Sequence, residues 1–276
     1  MVVTLALLSA LIVGVGDYLG GRGTARRPAI VVTFFSQITA CLVQVPLVIA
    51  LGWTHLQGGD VVLGLASGAA AGVGYIAFFH GLAHGRMAVV APLAALTTAL
   101  VPVVIDIVDG VRLPGGRWWG VAIALAAIPM VALRPGGDHS LRLLPELALA
   151  IGAGLGFATF FVAMGHTSDS SGQWPVVFAS LGGAAMVGLI SLLQRQRLGR
   201  PPLLALGSGA CTAVAGVMAV KALQIGPIAV ATVLASLYPV VTAGMAAKID
   251  RERVSALNAF GVAAALAGAA LIAVYR

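Results

Sequence analysis

Residues 81–96, GLAHGRMAVVAPLAAL, and residues 222–237, ALQIGPIAVATVLASL, decide how this chain is read. Laid one over the other without a gap, Leu82 falls on Leu223, Gly85 on Gly226 and Val89 on Val230. Leu93-Ala94 falls on Leu234-Ala235, and Leu96 on Leu237. The same register, an offset of 141 (226 − 85), carries Asp109 onto Asp250 and Arg112 onto Arg253. It also carries Gly120-Val121-Ala122 onto Gly261-Val262-Ala263, and Leu125-Ala126 onto Leu266-Ala267. Alanine and valine match easily by chance in such a composition; glycine, aspartate and arginine do so less readily. At a slightly smaller offset Gly14 and Gly16 meet Gly154 and Gly156. The chain reads as one unit written twice.

Composition identifies the solvent of that unit. The 276 residues are 60% hydrophobic and 9% charged, against roughly 25% charged in a soluble domain. So few charges cannot clothe a water-exposed surface, and the 36 glycines suit the close approach of helices in lipid. Ten apolar segments emerge at about 2–20, 29–51, 61–83, 87–108, 116–134, 143–164, 174–194, 202–224, 227–248 and 255–275. Between them lie polar and glycine- or proline-rich breaks such as GGRGTARRP, RPGGDHS and HTSDSSGQWP. The runs are continuous rather than alternating, which disfavours a β-barrel, and open sheets have no place in lipid. The first run has no basic leader before it and reads as a mature helix.

The expected fold is therefore an all-α polytopic membrane protein of ten transmembrane helices. Residues 1–137 and 138–276 are its two five-helix repeats. Five is odd, so the second repeat enters the bilayer the opposite way up. Inverted repeats are a common plan of secondary transporters, with the solute held near the midplane between the halves.

Other classes fall away. The net charge of +7 comes from short loops between apolar runs rather than from a nucleic-acid patch. Cys41 and Cys211 lie in separate apolar runs, so neither a disulfide nor a metal site is expected. There is no Walker loop to bind ATP, and GVGDYLGG lacks the strand–turn–helix context of a dinucleotide site. Gly207-Ser208-Gly209 resembles an intramembrane serine nucleophile, but no histidine stands at matching depth, so no enzyme and no cofactor are expected. The partners expected are the bilayer, a small-molecule substrate and protons. A monomer suffices, and a dimer is allowed.

With those residues in view, the chain resembles the EamA-like branch of the drug/metabolite transporter superfamily over essentially its whole length. The resemblance rests on GLAHGRMAVVAPLAALTTALVPVV, on KALQIGPIAVATVLASLYPVVTAGMAAKIDRERVS and on the opening GVGDYLGGRGTARRP. It implies a secondary active transporter in the plasma membrane, exporting a small metabolite, amino acid or amphiphilic drug by alternating access. The alternative is a non-transporting membrane protein, such as a lipid scramblase or a structural partner. The first repeat departs from the family pattern: Asp109-Gly110-Val111-Arg112 stands where Gly-Glu is usual, and Thr98 aligns with Pro239.

Orientation is read two ways. Arg22, Arg26, Arg27, Arg86, Arg134, Arg142, Arg195, Arg197, Arg200, Lys248, Arg251 and Arg253 fall on one face. Arg112, Arg117, Arg276 and the helix-end Lys221 fall on the other. The positive-inside rule then puts both termini outside, whereas the family resemblance implies both in the cytoplasm.

Candidate residues follow from depth. Asp17 lies ~22 Å into the first helix at ~1.5 Å per residue. A carboxylate there is costly unless paired, cavity-facing or protonated, which makes it the candidate for proton coupling. The competing reading pairs it with Arg22, Arg26 or Arg27. Carboxylates in the first helix also serve the small multidrug resistance proteins of the same superfamily; Asp17 is similar in role, without an alignable motif. Lys221, with His80 as its repeat partner, sits near a helix end, where a long cation snorkels to water; the sharper reading lines the approaches to a central cavity with both. Glu146 reads as a helix-start acid, and Asp106 and Asp109 as helix-end groups. At mid-depth stand the uncharged Gln37, Gln44, Tyr75, Thr97, Thr98, Thr159, Ser180, Thr212, Ser236 and Tyr238. Gln37 and Gln44, seven apart, share a helix face. Of these, Gln37, Gln44, Tyr75, Ser236 and Tyr238, with His80 and Lys221, are the candidate cavity residues. Pro92, Pro102, Pro129 and Pro239 interrupt apolar runs; Pro102 and Pro239 are the hinge candidates.

Overall fold

The computed structural model describes residues 1–52, 55–84, 87–110, 115–132 and 143–249, together with 256, 257, 260, 261, 263, 264, 267, 268 and 271. The described chain is helical, with no strand among those residues. In order the helices are α1 (Val2–Thr24), α2 (Ala29–Ala50), α3 (Gly58–His84), α4 (Met87–Val108) and α5 (Gly115–Ala132). After them come α6 (Leu143–Gly165), α7 (Trp174–Leu193), α8 (Leu203–Gln224), α9 (Ile228–Ala235) and α10 (Tyr238–Ile249). Six of them, α1, α2, α3, α6, α7 and α8, carry stretches long and apolar enough to cross a bilayer; the apolar stretches of α4, α5 and α9–α10 are shorter. The expected tenth segment, 255–275, lies for the most part outside the described residues.

Two segments differ from expectation for identifiable reasons. The ninth, expected as one span over 227–248, breaks at Ser236-Leu237. Pro239 has no N–H for the Ala235 carbonyl, and its ring crowds that carbonyl. Around the break Leu237 N–H reaches back only three residues, to Leu234 O at 3.3 Å, and Val240 N–H to Leu237 O at 3.0 Å. Pro102, by contrast, sits inside an unbroken α4, as Pro46 does inside α2. The first helix runs on through the glycines expected to end it. Gly20 and Gly23 are buried contact points rather than breakers: Gly20 faces the ring of Phe79, and Gly23 faces Leu204 and Val32.

Small residues set the packing. α3 lies against α7 so closely that a Cβ on Gly68 would collide with the Ala179 backbone, and one on Gly182 with the Leu65 backbone. α1 packs on α8 through Gly16, whose added Cβ would meet Cys211 Cβ at 2.9 Å. α2 packs on α8 where Gly209 faces the Ser36 carbonyl. Lipid gives helices no hydrophobic reason to associate, so backbone approach of this kind is what holds them. The helices of the two halves interleave: α1 packs against α8, α9 and α10, α2 against α7 and α8, α3 against α6 and α7, and α4 against α6 and α9. Phe78, Phe79, Met164 and Leu234 fill the core between them.

Candidate functional site

The interleaving leaves a hollow of about 90 Å³ between the halves, walled by α1–α4 and α6–α10. A single water needs ~10–15 Å³ measured this way, so the hollow has room for a small organic solute.

Asp17 lies on its wall, 4% exposed. The arginines considered as its partners are elsewhere. Arg26 and Arg27 are exposed. Arg22 donates to the Tyr18 hydroxyl at 3.2 Å and stacks over that ring, its guanidinium 5.8 Å from the centroid. Among the described residues no hydrogen bond or ion pair engages the Asp17 carboxylate, while Tyr75, Tyr238 and Cys211 lie within its electrostatic reach.

The two glutamines of α2 face the hollow, each laid over a glycine of a neighbouring helix. Gln37 Nε2 lies 2.5 Å from where a Gly183 Cβ would be, and Gln44 Nε2 3.1 Å from that of Gly216. Ser180 Oγ donates to Gln44 Oε1 at 2.7 Å. Tyr75 and Thr212 both line the hollow, and Thr212 donates to Ser208 O at 3.0 Å. At the α9–α10 break, Ser236 (1% exposed) and Tyr238 (6% exposed) line the wall, and both hydroxyls lack a hydrogen-bond partner. Burying a hydroxyl without a partner costs free energy, so two of them on one wall suit a guest that completes their bonds.

Of the seven candidate cavity residues, Gln37, Gln44, Tyr75, Ser236 and Tyr238 are thus brought together, with Asp17, Thr98, Ser180 and Thr212. His80 and Lys221 are not. Both are exposed on the outer surface, and neither is part of the wall. Each sits near the end of its helix, where a long polar side chain reaches water without turning inward. Thr159 is exposed and bonds back to Leu155 O in its own helix. Ser208, the supposed nucleophile, accepts from Ser36 Oγ at 3.4 Å in the α2–α8 contact. Asp106, Glu146 and Pro129 have side chains outside the described residues; Asp109 is exposed beyond the end of α4.

Sequence reasoning missed Ser9, which donates to the Ala215 carbonyl at 3.0 Å, and the aromatic wall of α6: Phe157, Phe160 and Phe161. Their spacing puts all three on one helix face, a signal present in the sequence. It also missed the tie at one end of the bundle. Asp60, at the start of α3, accepts from Ser168 N–H at 3.1 Å and from Ser171 Oγ in the α6–α7 loop. Gln57 donates its backbone N–H to Ser171 Oγ and its side-chain amide to Ser168 and Ser170. Gln173 donates to Gln224 Oε1, and Gln224 to Gly172 O, each at 2.8 Å. These bonds join the α2–α3 loop and the end of α8 to the α6–α7 connection.

Helices long and apolar enough to span a bilayer, packed around an internal hollow with a few polar groups on its wall, define a multi-pass membrane protein. Residues 144–274, the stretch that holds the second-half motifs, match the EamA-like transporter family. A solved crystal structure, described only as that of a protein, shares the fold at a TM-score of 0.79 and 19% identity, over 99% of this chain and 96% of its own. Among curated proteins none matches the sequence.

Proposed function

We propose that this protein is a secondary active transporter of the plasma membrane that exports a small metabolite, amino acid or amphiphilic compound by alternating access, with Asp17 as the proton-coupling group. The observation that carries the reading is the hollow between the two halves, with the Asp17 carboxylate, two amides and two unpartnered hydroxyls on its wall. The EamA-like match over 144–274 supports the class.

Alternating access in such proteins rests on two like halves inserted oppositely. The packing supports that design. Exchanging the first five helices for their repeat partners turns the α1–α8 contact into α6–α3, α2–α8 into α7–α3, and α1–α9 into α6–α4; all six contacts exist. Hydrogen bonds repeat too. Thr98 Oγ1 donates to Ala94 O and to Gly154 O on α6, while Thr242 Oγ1 donates to Tyr238 O and to Gly14 O on α1. Gly14 and Gly154 are the repeat pair read from the sequence. The counterpart of Thr98 in this respect is Thr242 rather than Pro239, three residues further on.

In this reading the loops tied through Asp60 and Gln57 form the closed gate, and the break before Pro239 is the point about which the gate works. Uptake and counterflow in proteoliposomes, over a panel of amines, amino acids and amphiphiles with and without a pH gradient, test it. Saturable flux of at least one solute is expected, and Asp17→Asn is expected to remove its response to the gradient. No flux of any solute under any gradient would refute the transporter reading and leave the scaffold or scramblase alternative.

A further inference from the structure

The charge and hydrogen-bond pattern of the hollow narrows the solute class. Resting on the transporter reading, we infer that the hollow takes an organic monocation: a primary or secondary ammonium joined to an aromatic or similarly broad apolar body.

Three features carry this. The first is charge. One carboxylate, Asp17, faces the hollow, and no lysine, arginine or histidine shares the wall among the described residues. An anion entering there meets only repulsion from Asp17, and a zwitterion leaves its own carboxylate without a cationic partner. A monocation neutralises the site. Away from bulk water an unmatched charge is far more expensive than in it.

The second is the aromatic wall. Tyr75 and Phe157 pack with ring centroids 4.6 Å apart, and Phe160, Phe161 and Tyr238 complete the surface. Such rings accept an apolar body edge-on or face-on, and they attract a cation over their faces.

The third is the pair of unpartnered hydroxyls, Ser236 and Tyr238, at the broken helix. The break also frees the Ala235 carbonyl from the partner that an unbroken helix would give it, and Ala235 is part of the wall. Hydroxyls alone would serve a carboxylate equally well. Beside Asp17, which only accepts, the two hydroxyls can accept in turn, so a guest with N–H donors answers all three. A quaternary ammonium has none, so the geometry separates primary amines from their trimethylated forms.

The probe set is 2-phenylethylammonium, its trimethylammonium analogue, phenylalanine and 3-phenylpropanoate. Binding is measured by calorimetry on the full chain in lipid nanodiscs. 2-Phenylethylammonium is expected to bind at least ~10-fold more tightly than phenylalanine or 3-phenylpropanoate, and ~3–10-fold more tightly than the trimethylated form. Asp17→Asn is expected to abolish the preference for the cation over phenylalanine. Ser236→Ala, a smaller change that keeps the carboxylate, is expected to shrink the primary-over-quaternary preference while charge selectivity survives. Gel filtration and thermal unfolding confirm that both variants fold. Equal or tighter binding of phenylalanine or 3-phenylpropanoate overturns the inference, and so does binding of none of the four at millimolar concentration. Flux of the same probes separates the two readings. Phenylalanine moving while the amine neither binds nor moves sinks the monocation and keeps the transporter. The amine bound at the Asp17-dependent site, with no probe moving, keeps the site and sinks transport.

Discussion

The α3–α7 crossing gives a prediction whose sign separates two effects. In Gly68→Ala the new Cβ falls 2.5 Å from the Ala179 carbonyl carbon and Cα, and closer still to the carbonyl oxygen. Ordinary contact begins near 3.4 Å, so the helices must part by about 1 Å or bend. Overpacking of this kind costs ~1–3 kcal/mol. Against it stands the higher helix propensity of alanine, worth ~1 kcal/mol over glycine. The obstacle is backbone, which cannot swing aside, so the cost falls in the upper part of that range and a net loss of up to ~2 kcal/mol is expected. Gly182→Ala meets the Leu65 backbone at the same crossing and is expected to lose a similar amount. One separation of α3 from α7 relieves both overlaps, so the double variant is expected to lose less than the sum by ~0.5 kcal/mol or more. Thermal unfolding followed by tryptophan fluorescence in detergent reads the series, at ~2–4 °C per kcal/mol for a chain near this size. A rise in Tm for either single variant, which propensity alone would produce, refutes the packing argument. Strict additivity in the double variant refutes the shared displacement.

Other expectations follow from single contacts. Ser180→Ala leaves Gln44 Oε1 without its donor and is expected to lower stability by ~1–2 kcal/mol, read by the same unfolding assay. Tyr238→Phe removes a hydroxyl that has no partner, so stability is expected to hold or rise slightly while affinity for the transported solute falls at least ~3-fold; a matching loss of stability would show that the hydroxyl is already satisfied. Asp60→Ala removes two of the bonds between the α2–α3 and α6–α7 loops and is expected to increase thiol labelling of a cysteine placed at Ala219, on the wall of the hollow, from that face. His80→Gln and Lys221→Gln are expected to leave flux within ~2-fold, since both side chains stay on the exposed surface.

Much of this was legible in the chain. Continuous apolar runs made the helices plain because lipid demands long, internally bonded segments. Depth alone singled out Asp17, the two glutamines and the two tyrosines, because polar groups in lipid need a reason to be there. What sequence could not show was direction. His80 and Lys221 aligned as repeat partners yet face outward, since an offset between repeats fixes height along a helix and leaves open which way a side chain turns. The glycines of GGRG read as a break, but the glycine that breaks one helix is the contact point of another when a ring such as Phe79 is waiting. Pro239 reads in the sequence as a hinge or a static kink within one span rather than a split; whether a proline bends a helix or ends it depends on the helices around it, as the unbroken α4 at Pro102 shows. The Asp60 tie joins residues more than 100 positions apart, with no local pattern to announce it.

The central claim is that the hollow between the halves is reached from water on each face in turn. A single cysteine at Ser236, in a chain with Cys41 and Cys211 replaced by alanine, tests it in sealed proteoliposomes with a membrane-impermeant thiol reagent applied to either face. The account predicts labelling from both faces, slowed by a solute that the protein carries. Protection of Ser236Cys from both faces, with or without solute, would contradict it.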